Sequence, residues 1–426
     1  MIDDFAPAKK TRPVKLDTTR QIKTPKEVQA EPASDEPAFK TPEEIAVTSM
    51  MGDPPPTEEN GNFEPPKKKR FSFKDLIVTF KGLSKKKQAL VIATIVLVLA
   101  AIGGGAYAFV ASSHKHPVAA KKPVKIAPTP VKPVTSPLTG VVVTKAQSLL
   151  PVTAVMIENS PDARPQSGLK DAGVVYEAIA EGGITRFMAL YQEAEPANIG
   201  PVRSSRPYYL RWALPFQAGY AHVGGSPDAL ADIKALGIRD LDQFYNSAAY
   251  HRISSREAPH NVYTSISALL SLEQSKGYGS STFDKFARKT AAPAKTPTTT
   301  SIDLAISSSF YNVHYDYDAA ANAYKRSEGG AAHMDADSNT QLEPKVVVAL
   351  VLPYSIMTDG YHSMYNTVGT GKMYVFQDGG VTTGNWAKAS DSAQYVFTND
   401  AGKTLALDPG QTWITALGDN AEVTYR

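Results

Sequence analysis

The chain has no cysteine. That absence removes disulfides, thiolate nucleophiles, thiolate metal sites and lipid attachment through cysteine together. A domain exported without disulfides must rest on an ordinary hydrophobic core. Familiar catalytic signatures are missing too: there is no Gly-x-Ser-x-Gly elbow, no His-Glu-x-x-His pair, no Walker A loop and no Gly-x-Gly-x-x-Gly turn. The net charge of +3 averages unlike segments and selects no partner.

What is present first is an uncharged apolar run, Ala89 to Ala111. At about 1.5 Å of rise per residue it is long enough for the roughly 30 Å hydrocarbon core of a bilayer. The sequence therefore predicts a single transmembrane helix over residues 89–111, with the lipid bilayer as a partner. Lys69, Arg70, Lys74, Lys81, Lys85, Lys86 and Lys87 precede the run, whereas Lys115, Lys121, Lys122 and Lys125 follow it. The positive-inside bias then places the N-terminus in the cytoplasm and the rest outside, in a single-pass cell-membrane protein. Ala106-Tyr107-Ala108 resembles a signal-peptidase site, but the run is longer than a usual signal core.

Composition divides the remainder. Residues 1–66 read as a disordered cytoplasmic arm rich in Pro, Glu, Lys and Thr. Residues 67–88 form a basic juxtamembrane segment whose interleaved phenylalanines suit an anionic lipid surface; no nucleic-acid partner is expected. Residues 112–137 read as a Lys/Pro-rich stalk, in which His114 and His116 are incidental. In residues 138–275, short β-rich runs (Val152–Ile157, Val174–Ile179, Phe187–Tyr191, Tyr220–Val223) alternate with helix candidates. One helix candidate starts on Ser226 and Pro227 and stops at Gly237. This predicts an α/β or α+β layered N-terminal ectodomain. Residues 276–301 read as a linker, and 302–426 as a mostly antiparallel β domain with a hairpin turn at Asp378-Gly379.

Candidate chemistry falls at strand ends and turns of the first ectodomain: Glu158-Asn159, Glu177, Glu181, Arg186, Arg203, Arg206, the His222-Val-Gly-Gly-Ser-Pro junction and His260-Asn261. A strand–turn–helix junction with Gly224, Gly225 and Ser226 offers backbone N–H groups to an anion. Arg203 and Arg206 precede a helix, where positive charge opposes the macrodipole, so they call for an anionic ligand or for carboxylate partners. The ligand-binding set is therefore Arg186, Arg203, Ser204, Arg206, His222, Gly224, Gly225, Ser226 and Asn261. The catalytic candidates, should the histidines and a carboxylate converge, are His222, His260, Glu177 and Glu181. The spacing of His222, His251 and His260 predicts no metal site, and no cofactor is expected.

Several longer stretches carry a resemblance: SPLTG from Ser136, AVMIENSPDARPQSGL from Ala154, VVYEAIAEGGITRFMALY from Val174, IGPVRSSRPYYL from Ile199, AHVGGSPDA from Ala221, APHNVYT from Ala258, GKMYVFQDGGVTTGNW from Gly371 and LDPGQTWI from Leu407. In order and content they resemble the YerB-like lipoprotein family, domain of unknown function 3048 with its own C-terminal domain. The resemblance implies a bacterial, outward-facing envelope protein and supplies no activity. This chain departs from lipoprotein members in having no cysteine to lipidate. Two functions follow as expectations: a module binding an anionic or carbohydrate envelope ligand, such as a cell-wall polymer or phosphorylated glycan, and a hydrolase or transferase using His/Glu acid–base chemistry. The sequence leaves the oligomeric state open.

Overall fold

The computed structural model describes residues 84–112 and 133–426, with no side-chain description at Val91 or over 101–112. The arm at 1–66, the basic segment up to 83 and the stalk over 113–132 lie outside the described residues. The chain divides into two units, 1–124 and 125–426.

In the first unit, the apolar run lies within helix α1, Lys85–Ser112. Its described side chains open on three lysines and continue to Ala100. Among the described residues no helix is long and apolar enough to cross a membrane. This overturns the expected single transmembrane helix.

In the second unit, the strands β1 (Thr153–Glu158), β2 (Val174–Glu181), β3 (Ile184–Tyr191), β4 (Gly219–Ala221), β5 (Arg239–Asp240), β6 (Val346–Val351), β7 (Gly369–Gln377), β8 (Gly380–Lys388), β9 (Val396–Asn399) and β10 (Thr412–Leu417) make one sheet. Its order is β9-β8-β7-β6-β10-β2-β3-β1-β4-β5. Strand β10 runs parallel to both neighbours, pairing Val174 with Thr412 on one side and Val346 with Thr412 on the other. A second sheet of five strands contains Ser301–Ala305, Val313–Asp318, Ala323–Glu328, Ala331–Ala332 and Glu422–Tyr425.

Helices are few and short here: α2 (Pro207–Ala213), α3 (Pro227–Ala235) and α4 (Ile266–Ser275). The expected α/β or α+β layered N-terminal ectodomain, followed by a mostly antiparallel β domain, gives way to a mostly β unit whose main sheet takes strands from both segments. The physical reason lies in β2 and β3. They form a hairpin, turned by Gly182 and Gly183 at φ +54° and +79°, and both faces of it are buried. Strands buried on both faces read as continuous apolar runs, the pattern of an α/β sheet. One face carries Met156, Tyr176 and Met188 against Tyr208 and Trp212 of α2. The other carries Ile157, Val175 and Phe187 with Leu269 of α4 and Trp413 of β10.

Local signals act as their chemistry requires. The Ser226 hydroxyl accepts from Ala229 N at 3.3 Å and caps α3, with Pro227 at its first position. Asp378 and Gly379 both take positive φ (57° and 74°) between β7 and β8, the geometry of a two-residue hairpin turn. Ser265, directly after the short strand Val262–Thr264, caps α4.

Candidate functional site

Strands β1 and β4 are parallel neighbours, so their C-terminal ends open on the same edge of the sheet. Beyond β4 the chain turns through Gly224 at φ +56°, which only glycine adopts readily, and enters α3. The turn is stitched to the segment before α2: Ser205 N donates to Gly224 O at 2.9 Å, and Ser226 N to Ser205 O at 3.3 Å. Between these segments lies a cleft of about 600 Å³. Arg203, Ser204, Gly224 and Gly225 line it together with Phe244, Tyr245, Arg252 and Pro259.

His222 lies beneath this turn and is fully buried. Its Nδ1 faces Gly224 O at 2.8 Å and its Nε2 faces Asp240 Oδ1 at 3.0 Å. Partial burial pushes the Asp240 carboxyl up, but the hydrogen bond and charge of His222 outweigh this and hold it below its ordinary value. Asp242 accepts from Gly224 N (3.0 Å) and Phe244 N (3.2 Å), tying the turn to the aromatic rim. His222 thus supports the cleft from below and presents no free nitrogen to it.

Glu158, the last residue of β1, organises the other wall. One carboxylate oxygen takes Ser160 Oγ at 3.0 Å and pairs with Arg203 Nε at 3.2 Å. The other takes His260 Nδ1 at 3.0 Å. The Glu158 side chain is 4% exposed, whereas Arg203 and His260 are 24% and 22% exposed, so a buried acid holds two half-open side chains. The Arg203 Nε lies outside hydrogen-bond geometry despite the ion pair. A carboxylate only accepts, so His260 Nδ1 carries a hydrogen and donates it to Glu158. Arg256 ties the His260 loop down by donating to Asp162 O (3.2 Å) and Pro165 O (2.6 Å). Asn261 Oδ1 accepts from Arg252 Nη1 at 2.5 Å, fixing that arginine at the cleft.

Arg186 and Arg206 are placed behind the cleft. Both are buried and share Glu181, with the 2.5 Å bond from Arg206 Nη2 on one oxygen and the Arg186 bond on the other. Arg186 Nη1 also donates to Ser204 O at 3.0 Å, beneath the cleft wall. Burial, and then the neighbouring Arg186, lower the Arg206 pKa. Glu177 belongs to a different cluster, with Arg326, Trp413 and Thr415. The structure therefore brings Arg203, Ser204, Gly224 and Gly225 to one cleft, with Ser226 capping its helix. Glu177, Glu181, Arg186, Arg206 and His222 are enclosed. Among the described residues no group of three or more metal-ligating side chains is placed to hold an ion.

Sequence reasoning noted Glu158 at a strand end but left it out of the site, along with Ser160, Phe244, Tyr245 and Arg252. A usable signal was present in two adjacent aromatics, Phe244-Tyr245, inside an otherwise polar loop.

Comparison with known proteins places this architecture. Residues 138–279 match the N-terminal domain, and residues 302–414 the C-terminal domain, of a protein of unknown function, DUF3048. The chain belongs to the DUF3048 family. It is 31% identical over 299 residues to a Bacillus subtilis (strain 168) protein described as "Putative lipoprotein YerB", covering 68% of this chain and 88% of the relative. The crystal structure of the YerB protein from Bacillus subtilis superposes with a TM-score of 0.62 at 28% identity, covering 68% of this chain and 99% of that one. The family is one of unknown function, so no residue role comes with the membership.

Proposed function

We propose that this DUF3048 protein is an extracytoplasmic protein of the cell envelope whose cleft binds a carbohydrate polymer bearing anionic groups. The envelope location is supported by the relative described as a lipoprotein. The ligand reading rests on one observation: Phe244 and Tyr245, 69% and 84% exposed, stand on the rim of a cleft whose walls carry Arg203 and Arg252. Large aromatics left in water mark interaction surfaces, and a flat ring beside polar groups suits the apolar face of a sugar. Charges of both signs line the cleft, Arg203 and Arg252 together with Asp240 and Asp242. An acidic substituent then seats at the arginines while sugar hydroxyls face the carboxylates.

Isothermal titration of the full chain with solubilised wall glycans, phosphorylated and phosphate-free, tests this. Binding that favours the phosphorylated form and weakens as salt rises supports the reading. No heat with either form sinks it. A second reading, hydrolysis or group transfer on the same ligand, is favoured by the Glu158–His260 pair alone.

A further inference from the structure

Five of the six described histidines differ sharply in what their rings can still do. His333 is buried; its Nδ1 accepts from Arg326 Nε at 2.9 Å and its Nε2 faces Gln166 Oε1 at 2.9 Å. His222 is buried with both nitrogens engaged. His314 has an aspartate on each nitrogen, Asp303 and Asp316. His362 is held by Asp359 on an exposed turn, where the acid is 45% open to water. In His260 alone among these, a buried carboxylate fixes Nδ1 while Nε2 makes no hydrogen bond among the described residues.

The neighbouring arginine is set the same way. Arg203 spends Nε on Glu158, and neither terminal nitrogen is hydrogen-bonded among the described residues. Both groups therefore lean on one carboxylate, each with its reactive end free. Arg203 and Pro259, the residue before His260, line the same cleft.

We propose that His260 is the general base of a hydrolytic reaction on a phosphodiester bound by Arg203, with Glu158 as the positioning carboxylate. The proposal rests on the reading of the cleft as the site of an anionic glycan and narrows its acidic group to a bridging phosphate. A planar guanidinium with two free donors matches two phosphate oxygens. Ser160 Oγ is bound to Glu158 at 3.0 Å and lies 3.4 Å from His260 Nδ1, not on the free nitrogen, and water is taken as the nucleophile. His260 Nε2 takes a proton from that water as its oxygen attacks phosphorus. The bond from phosphorus to the leaving sugar or polyol oxygen breaks, and the imidazolium returns the proton to that oxygen. The products are a phosphomonoester and an alcohol, and His260 is regenerated. Glu158 steadies the imidazolium while it carries the extra proton.

The test uses the full chain and bis(4-nitrophenyl) phosphate, followed through release of 4-nitrophenolate. The expected result is turnover above buffer that falls about 10²- to 10⁴-fold in His260→Ala and is partly restored by added imidazole. Glu158→Gln should shift the acidic limb of the pH profile, and Arg203→Ala should raise KM more than it lowers kcat. His260→Ala removes one of two partners of the buried Glu158, so its melting temperature should fall only modestly while Arg203 remains, and rescue by imidazole separates lost chemistry from lost fold. A wild-type rate equal to buffer, or a His260→Ala rate equal to wild type, overturns the proposal. Glycan titration of the wild-type chain separates the two readings: binding without any turnover of bis(4-nitrophenyl) phosphate ends the catalytic step and leaves the binding site standing, whereas no binding ends both.

Discussion

Arg326 Nη2 donates to Glu177 Oε1 at 2.9 Å, and neither side chain is exposed at all. The pair crosses 149 residues of sequence. The guanidinium lies 4.3 Å from the Trp413 ring centroid, and the Trp413 indole donates to the other Glu177 oxygen at 2.9 Å. Tyr315 OH and His333 Nδ1 accept the remaining Arg326 hydrogen bonds at 2.9 Å each, and a second buried carboxylate, Glu328, lies 3.6 Å from its Nη2. The network continues through Gln166, whose amide donates to Glu158 O at 3.0 Å. Strands from both family segments are thus clamped around one buried arginine between two carboxylates, and the clamp reaches the backbone of the candidate site.

Breaking that pair from one side should be costly. Arg326→Met leaves Glu177 buried without its cation, a change that typically costs about 3–5 kcal/mol. Urea denaturation should show a loss of that size, and the double variant with Glu177→Met should recover part of it. A single-variant loss below about 1 kcal/mol would mean that water or another cation reaches Glu177.

Arg203→Ala should weaken glycan binding and spare the fold. Its two free donors imply the loss of a charge-assisted contact of about 1.5–3 kcal/mol, or roughly 10- to 150-fold in affinity. If Arg203 serves only as a partner for Glu158, the melting temperature will drop instead and titrations with glycan will not change.

The aromatic rim gives an independent handle. Phe244 and Tyr245 are exposed, so replacing either with alanine should leave stability within about 0.5 kcal/mol of wild type. Each replacement should weaken binding of a phosphate-free glycan about 2- to 10-fold, since ring packing contributes about 0.5–1.5 kcal/mol. Unchanged affinity in the double variant would remove the rings from the site.

Glu273 should make stability depend on pH. It lies on α4, takes Thr153 Oγ1 at 3.0 Å on one oxygen and has no partner on the other. Burial pushes its pKa up from 4.5 to about 8, with the Thr153 hydrogen bond a smaller opposing effect. A raised carboxyl binds its proton more tightly in the folded chain. Its contribution is fully present below about pH 4.5 and is lost as pH rises through about 8. Glu273→Gln should flatten that decline, by on the order of a few kcal/mol across the window. Parallel urea curves for the two proteins at pH 5 and pH 8 would contradict the buried-acid account. Space here is tight as well: a Cβ at Gly219 would lie 1.9 Å from Glu273 Oε1, so Gly219→Ala should also destabilise.

The cleft was partly legible from sequence. Gly224, Gly225, Ser226 and Pro227 mark a strand–turn–helix junction in any context, because a positive φ and an N-cap are properties of single residues and their nearest neighbours. Arg203 and Arg206 looked equivalent, three residues apart before one helix. The fold separates them: Arg206 is consumed by Glu181, while Arg203 faces the cleft. Glu158 looked like the polar end of a strand, and its role appears only when the loop bearing His260 folds onto it from 102 residues away.

Sequence alone determined the family, the places where short apolar runs become strands, the Asp378-Gly379 hairpin and the capped start of α3, since each depends on contacts between near neighbours. It also determined that no thiol takes part in anything this chain does. Tertiary structure alone decided that β10 lies between β2 and β6, which makes one main sheet where a layered α/β or α+β domain and a separate, mostly antiparallel β domain were expected. It also decided which carboxylates are spent on buried arginines and which one aims a histidine. Strand partners and buried ion pairs are chosen by burial and hydrogen-bond geometry between distant segments, and no local pattern carries that information.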